Sequence, residues 1–245
     1  MSLLLTIDSS QTKQASDDFT IHYGDPITLG ENYEIALLKA YLWYSYQNIT
    51  SAFGNNKLTY YNGVSWVDII YPNGIYSVQD INDYMQQQML LNNDYDTGDN
   101  SFYVTIKANF QLLKVDLILS NGYKVDFTTS LLRDLLGFNS AIATTSLTAQ
   151  NTADITRGVN SLNINCSLVN TGYLNEFQGS VIYSLSPEVA PGSLISLSPS
   201  PAIYLPINDT SIKNIRMYVT DNSGRKVNFN NESVNYVLHV RKSLR

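Results

Sequence analysis

Residues 212–241 read IKNIRMYVTDNSGRKVNFNNESVNYVLHVR. Ile215, Met217 and Val219 alternate with Arg216, Tyr218 and Thr220, the period of two that marks a strand with one buried face. Asn222-Ser223-Gly224 is a turn, and Val227 and Phe229 resume the alternation after it. A three-residue loop with Gly224 in the left-handed conformation sets Val219 opposite Val227, Met217 opposite Phe229 and Asp221 across from Arg225. Val234, Tyr236, Leu238 and Val240 then make a last strand. The segment spells three strands and their turns with no catalytic pattern. It points to a protein that works by holding a shape and presenting surfaces.

Upstream, the same alternation recurs. Phe19, Ile21 and Tyr23 share one face of DFTIHYGD, and YEIALLKAYLWYSY, apolar almost throughout and rich in aromatics, reads as a long central strand. KLTYY and VSWVDII, flanked by Asn55-Asn56 and Asn62-Gly63, read as hairpin material. The pattern then becomes helical. Ser77 can cap a helix, Asp80 can complete a capping box, Tyr76 can staple onto Ile81, and Val78, Ile81, Met85 and Met89 recur on one side to about Leu91. NNDYDTGDN is expected to be an exposed acidic loop; its Asp94, Asp96 and Asp99 lack the glycine and the distal glutamate of a calcium loop.

Val104, Ile106, Ala108 and Phe110 alternate in FYVTIKANF. LKVDLILSNGYKVDF then allows two hairpin registers about Asn121-Gly122. The preferred one pairs Leu119 with Tyr123, Leu117 with Val125 and Val115 with Phe127, because it keeps one apolar face. A short helix near 130–137, SLLRDLLGF, stops at Gly137. Residues 139–155 are unpatterned and read as a long surface connection. Leu162, Ile164, Cys166 and Leu168 share a face of the next strand, SVIYSL gives another, and a segment with five of the seven prolines supplies edge or loop structure. The fold expected is all-β, a jelly-roll or β-sandwich of about ten or more antiparallel strands, with helical insertions near 77–91 and 130–137. It forms one domain over 1–245, with 139–155 as the place where it could divide.

Composition bounds the function. The 245 residues carry 15 basic and 21 acidic side chains, a net charge of −6 that argues against nucleic acid as the main ligand. The 18 tyrosines suit half-buried sheets and subunit contacts. The only cysteine, Cys166, alternates with Ile164 and Leu168 and is expected to be a buried small hydrophobe. The start, MSLLLTIDSS, has no basic region and only a brief apolar run, so no secretory signal is expected. No apolar stretch approaches a membrane span. The N-x-S/T triplets at Asn48, Asn165, Asn208 and Asn231 are therefore read as chance in an Asn-rich, unsecreted chain.

No chemistry emerges from the motifs. His22 and His239 are the only imidazoles, each on the polar side of a strand, and no phosphate loop, nucleophile elbow or zinc spacing occurs. No catalytic residue, metal ligand or cofactor is expected. Two surfaces remain as candidates. From Lys213 onward seven basic residues face two acids, and Arg241, Lys242 and Arg245 at the end could meet a neighbouring subunit or packaged nucleic acid. Tyr41, Trp43, Tyr60 and Trp66 could stack sugar rings on a sheet face, although core filling and subunit contact explain them without a ligand.

The chain resembles the jelly-roll capsid proteins encoded by Polinton/Maverick-type elements, adintoviruses and virophage-like double-stranded DNA viruses. The residues that carry the resemblance are ITLGENYEIALLKAYLWYSYQNI, GIYSVQDINDYM, LLRDLLGF, DITRGVNSLNINCSLV and IRMYVTDNSGRKVNFNNESVNYVLHVRK. It implies a structural protein of an icosahedral shell. The length falls short of two complete eight-strand sandwiches, so the resemblance implies a minor or penton-like subunit at the vertices. Its partners would be itself, as a pentamer rather than a trimer, and other capsid proteins, with at most weak contact with packaged nucleic acid. Its place would be the virion, assembled in the host cytoplasm or nucleus. The competing expectation is a carbohydrate-binding, fibre or adhesin β-sandwich module.

Overall fold

The computed structural model describes residues 2–12, 14, 15, 17–156, 159, 161–170, 172–174, 177–207 and 209–243. The chain opens with β1 (Ser2–Asp8), β2 (Asp18–Thr28) and β3 (Tyr33–Trp43). A middle block follows: β4 (Lys57–Tyr61), β5 (Trp66–Ile70), α1 (Val78–Leu91), β6 (Tyr95–Asp96), β7 (Ser101–Phe102), β8 (Val104–Asn109), β9 (Lys114–Leu119), β10 (Lys124–Asp126), α2 (Leu132–Leu136), β11 (Ile142–Ala143) and β12 (Leu147–Thr148). It closes with β13 (Leu162–Cys166), β14 (Gly172–Leu174), β15 (Phe177–Gly179), β16 (Val181–Leu185), β17 (Leu194–Leu197), β18 (Leu205–Pro206), β19 (Ser211–Asp221) and β20 (Asn235–Lys242). The chain divides into two compact units, 1–46 with 159–245, and 47–158. Both boundaries lie outside the 139–155 connection, and both helices fall in the middle unit.

The first unit is a jelly roll. One sheet runs β1-β20-β3-β17, the other β16-β13-β19-β2. Eight strands therefore pair from the outside inward: β1 with β20, β2 with β19, β3 with β17 and β13 with β16, all antiparallel. That is one long hairpin wrapped so that alternate rungs fall in two facing sheets. The added contacts β20–β3 and β13–β19 close each sheet. The short β18 also pairs with β3. Between them lies a core that includes Phe19, Ile35, Leu42, Ile164, Met217, Phe229, Tyr236 and Leu238, all buried. Each large side chain there is worth about 1.5–3 kcal/mol of transfer free energy.

The C-terminal register holds at its turn. Asp221 N–H donates to Arg225 O at 2.8 Å, Val227 N–H to Val219 O at 3.1 Å, and Gly224 is left-handed with φ 78°. The middle strand expected there shrinks to a single bridge, Thr220–Lys226. Val227 and Phe229 are buried as the chain crosses from one sheet to the other, so β19 and β20 are not neighbours. The strand Ser2–Asp8 was not expected at all, yet Leu3, Leu5 and Ile7 pair with Val240, Leu238 and Tyr236.

The middle unit builds a four-stranded sheet, β11-β10-β4-β5, and a three-stranded one, β12-β9-β8. Helix α1 packs along β8, burying Val78, Ile81, Met85 and Met89. Its capping box is complete: Asp80 N–H donates to Ser77 Oγ at 3.1 Å and Ser77 N–H to Asp80 Oδ2 at 2.8 Å. Helix α2 ends as a Schellman motif. Gly137 N–H donates to Asp134 O, Phe138 N–H to Arg133 O, and Gly137 has φ 83°. The β9–β10 hairpin does not form. Leu117 pairs with Ile106 and Leu147, while Val125 pairs with Tyr60 and Ala143, so the two strands enter different sheets. Residues 139–155 are correspondingly not a plain connection, because β11 and β12 extend both sheets and bury Ala143 and Ala149. Phe110, expected on the core face of β8, lies past the strand end in the turn.

Candidate functional site

On the outer face of the β1-β20-β3 sheet, a polar seam runs across three strands. Ser2, Glu34 and Arg241 share a rung, with Arg241 Nε donating to Glu34 Oε1 at 2.6 Å. The Arg241 guanidinium lies 3.5 Å from the centroid of the Tyr204 ring, in cation–π contact. Tyr204 OH hydrogen-bonds His239 Nδ1 at 2.6 Å, and His239 Nε2 hydrogen-bonds Ser2 Oγ at 2.6 Å. A hydroxyl on each imidazole nitrogen has the order of an activated serine. Here, however, Ser2 is exposed on the edge strand, and the chain Glu34–Arg241–Tyr204–His239–Ser2 ties that edge to its sheet. Alternation sets His239 on the polar side of its strand, but nothing local in the sequence marks Tyr204 as a partner of His239 and Arg241.

The basic C-terminal side chains are largely neutralised within the fold. Arg216 makes a bidentate pair with Asp18, Nε–Oδ1 and Nη2–Oδ2 both at 2.7 Å, and Lys226 adds a second cation to the same carboxylate. The Arg216 hydrogen bonds, with Lys226 behind them, outweigh burial and hold the Asp18 carboxyl down at about 2. Arg225 Nε donates to the buried Asp221 Oδ2 at 2.7 Å. Lys242 is exposed and Arg245 lies outside the described residues. Arg241 and Lys242 therefore do not add up to a free cationic patch.

Strand β13 is buried on both faces. Sequence alternation accounts for Leu162, Ile164 and Cys166 but not for Asn163 and Asn165. Asn163 Nδ2 donates to Asp221 O at 3.0 Å and its Oδ1 accepts from Ser184 Oγ at 2.6 Å. Asn165 Nδ2 donates to Asn163 O at 2.9 Å. These bonds satisfy amides that burial would otherwise penalise. Burial pushes the Cys166 thiol up to about 12. Among the four N-x-S/T asparagines, Asn48 and Asn165 are buried, Asn231 is exposed, and Asn208 lies outside the described residues.

The aromatic candidates separate. Tyr41 and Trp43 are half-buried on the outer side of β3, alternating with Ala40 and Leu42, which face the core. Tyr60 is not a surface residue. It alternates with Lys57, Thr59 and Tyr61, falls on the core face with Leu58, and donates its hydroxyl to Asp94 Oδ2 at 2.6 Å. Burial first, and Asp94 second, push the Tyr60 hydroxyl well above its ordinary value and bring Tyr123 up to about 12. Asp94 is thus buried, contrary to the exposed acidic loop expected, while Asp96 Oδ1 accepts from Gly98 and Asp99 N–H in a tight turn. Trp66 alone stands out, 47% exposed, with the Tyr61 ring 5.3 Å away and Lys124 over that ring. Among the described residues no cluster of three or more His, Cys, Asp or Glu side chains is disposed to hold a metal, and no helix is long and apolar enough to cross a membrane.

No protein-family model and no curated protein matches the chain. Among solved structures, the chain is similar to the mavirus penton protein, with a TM-score of 0.51 and 8% sequence identity. The match covers 99% of this chain and 100% of that one. At that identity the likeness is one of fold, and it agrees with the jelly-roll strand order read from the pairing above.

Proposed function

We propose that the chain is a non-enzymatic structural subunit of an icosahedral virus capsid, of the penton-like kind, that closes into a homopentamer at the shell vertices. One observation carries this reading: an eight-strand jelly roll, with a second unit inserted between β3 and β13, follows the mavirus penton protein along essentially its whole length. The surface is consistent with it. Only 15% of residues are charged, and the cations near the C-terminus are mostly paired internally, as expected for a surface that neighbouring subunits cover. Closed cyclic symmetry would cover the free edges of β1, β2, β16 and β17 or the apolar residues beside them. In this reading the protein resides in the virion, its partners are copies of itself and other capsid proteins, and nucleic acid contributes little. Light scattering on the purified chain tests it. A mass five times the 27.4 kDa subunit is expected, and a monomer at high concentration across a range of salt would defeat it.

A second reading is favoured by one observation, the exposed Trp66 beside Tyr61 and Lys124 on the outer face of the β4–β5 hairpin. Such a face suits a neutral sugar ring. A glycan array probed with the native chain and with Trp66→Ala decides it: binding lost in the variant supports a saccharide site, and no binding by the native chain removes it.

A further inference from the structure

Asparagine followed by glycine occurs at Asn62-Gly63, Asn73-Gly74 and Asn121-Gly122. The pair carries its own chemistry. Glycine has no Cβ to shield its main-chain nitrogen, so that nitrogen can reach the preceding carboxamide and close a five-membered ring. Closure needs a carboxamide free to swing and a glycine N–H free to give up its proton. The three sites differ in both respects.

Asn62 is half-buried and pinned. Its Oδ1 accepts from Val64 N–H at 3.1 Å and Ser65 N–H at 2.9 Å, its Nδ2 donates to Asp94 Oδ2 at 3.4 Å, and its own N–H donates to Ser65 O at 3.1 Å. Asn73 is exposed, but its Oδ1 accepts from Ser51 N–H at 2.8 Å, and the Gly74 N–H is spent on Ile49 O at 2.9 Å. Asn121 is exposed in the turn between β9 and β10, which Tyr123 N–H closes by donating to Ser120 O at 3.0 Å. Among the described residues, neither its carboxamide nor the Gly122 N–H has a hydrogen-bond partner. Nothing lies within 4 Å of where a side chain at Gly122 would begin, so the backbone there has open space in which to turn.

We propose that Asn121 is a site of self-modification, converting to aspartate and isoaspartate while Asn62 and Asn73 persist. Gly122 N loses its proton to solvent base and attacks Asn121 Cγ. The N–Cγ bond forms, the Cγ–Nδ2 bond breaks, and the amide nitrogen takes a proton from solvent and leaves as ammonia. Water then opens the succinimide at one of its two carbonyls. Opening at Cγ yields aspartate; opening at the main-chain carbonyl yields isoaspartate, in which the chain runs through Cβ and Cγ. One water is consumed and one ammonia released, with no change of oxidation state. Either product adds a negative charge to a chain of net charge −6. The second also inserts a methylene into the turn from which β9 and β10 enter separate sheets. The proposal stands apart from the capsid reading.

It is tested by holding the native full chain at pH 8 and digesting samples with trypsin over time. The peptide 115–124 contains Asn121 as its only amide side chain, so its mass reports that site alone, and fragmentation of the peptide 58–107 locates any change at Asn62 and Asn73. Methylation by protein L-isoaspartyl methyltransferase measures the isoaspartate. Asn121 converts about tenfold or more faster than either other site, because each of those must first give up two or more hydrogen bonds. In denaturant, where those bonds are gone, the difference collapses. Asn121→Gln abolishes the mass change and the methyl acceptance of that peptide, since glutamine must close a larger ring. Conversion of Asn62 or Asn73 as fast as Asn121 in the native chain overturns the proposal, as does an Asn121 that stays intact until the chain is unfolded. An unchanged preference in denaturant overturns it too, because local sequence and not structure would then set the order.

Discussion

Replacing Asp18 with Asn removes the carboxylate that joins β2 to Arg216 on β19 and to Lys226 beyond the turn. The magnitude follows from its titration. A carboxyl held at about 2 instead of the ordinary 3.8 corresponds, at full weight, to roughly 2.5 kcal/mol. Asp18 itself is only 18% exposed, but Arg216 and Lys226 are about half exposed, so solvent screening reduces the net value to about 1–1.5 kcal/mol. The folded-state pKa is depressed, so this stabilisation is fully present above the unfolded value near 4 and is lost as pH falls from about 4 to about 2. Thermal unfolding followed by circular dichroism at pH 7 should show the Asp18→Asn midpoint about 2–6 °C below the native one. The gap should narrow through the acid range and close near pH 2. High salt at pH 7 should narrow it too. A gap of the same size at pH 7 and pH 2 would refute the reasoning, since the loss would then be one of packing and not of charge.

Gly137→Ala should destabilise the middle unit by about 3 kcal/mol or more, because φ is 83° and the new Cβ would lie 2.4 Å from Asn151 O. Gly122→Ala, at φ 89° with open space around it, should cost only about 1 kcal/mol, and denaturant melts of the pair separate backbone strain from collision. Asn163→Ala should lower stability by about 1 kcal/mol, since two hydrogen bonds are lost while Asp221 O keeps Gly224 N–H and the exposed Ser184 Oγ can turn to water, measured the same way. Cys166 should resist thiol reagents at pH 8 in the native protein and react promptly once it is unfolded, because the thiol is buried and titrates at about 12. Reaction at equal rates in both states would contradict that placement.

Local structure was legible wherever one residue type answers one local demand. Ser77 with Asp80, Gly137 before Phe138, and Gly224 after Asp221 each specify a cap or turn by short-range hydrogen bonds, and each forms as read. Alternation likewise gave the buried faces of β13, β19 and β20. It could not give partners. Val115, Leu117, Val125 and Phe127 are all buried as expected, yet β9 and β10 join different sheets, because a period of two fixes a face and not a neighbour. Parity also misled at strand ends: Phe110 continues the pattern of β8 one step past the last rung, where the turn turns it out. Tyr60 and Tyr61 are adjacent, so one necessarily faces the core, and taking Tyr60 for a surface residue ignored the pleat. Asn163 and Asn165 look solvent-facing in sequence because partners such as Asp221 O and Ser184 Oγ for Asn163, and Thr220 Oγ1 for Asn165, come from strands further along the chain. The seam of Glu34, Arg241, Tyr204, His239 and Ser2 was hidden for the same reason: its members come together only once β1, β3 and β20 lie side by side.

The central claim, that this jelly roll is a vertex subunit, is tested most directly by electron microscopy of the purified assembly with class averages sorted by rotational symmetry. Closed rings with five copies of the subunit are the predicted result. Rings of another order, or particles no larger than one 27.4 kDa chain, would contradict it.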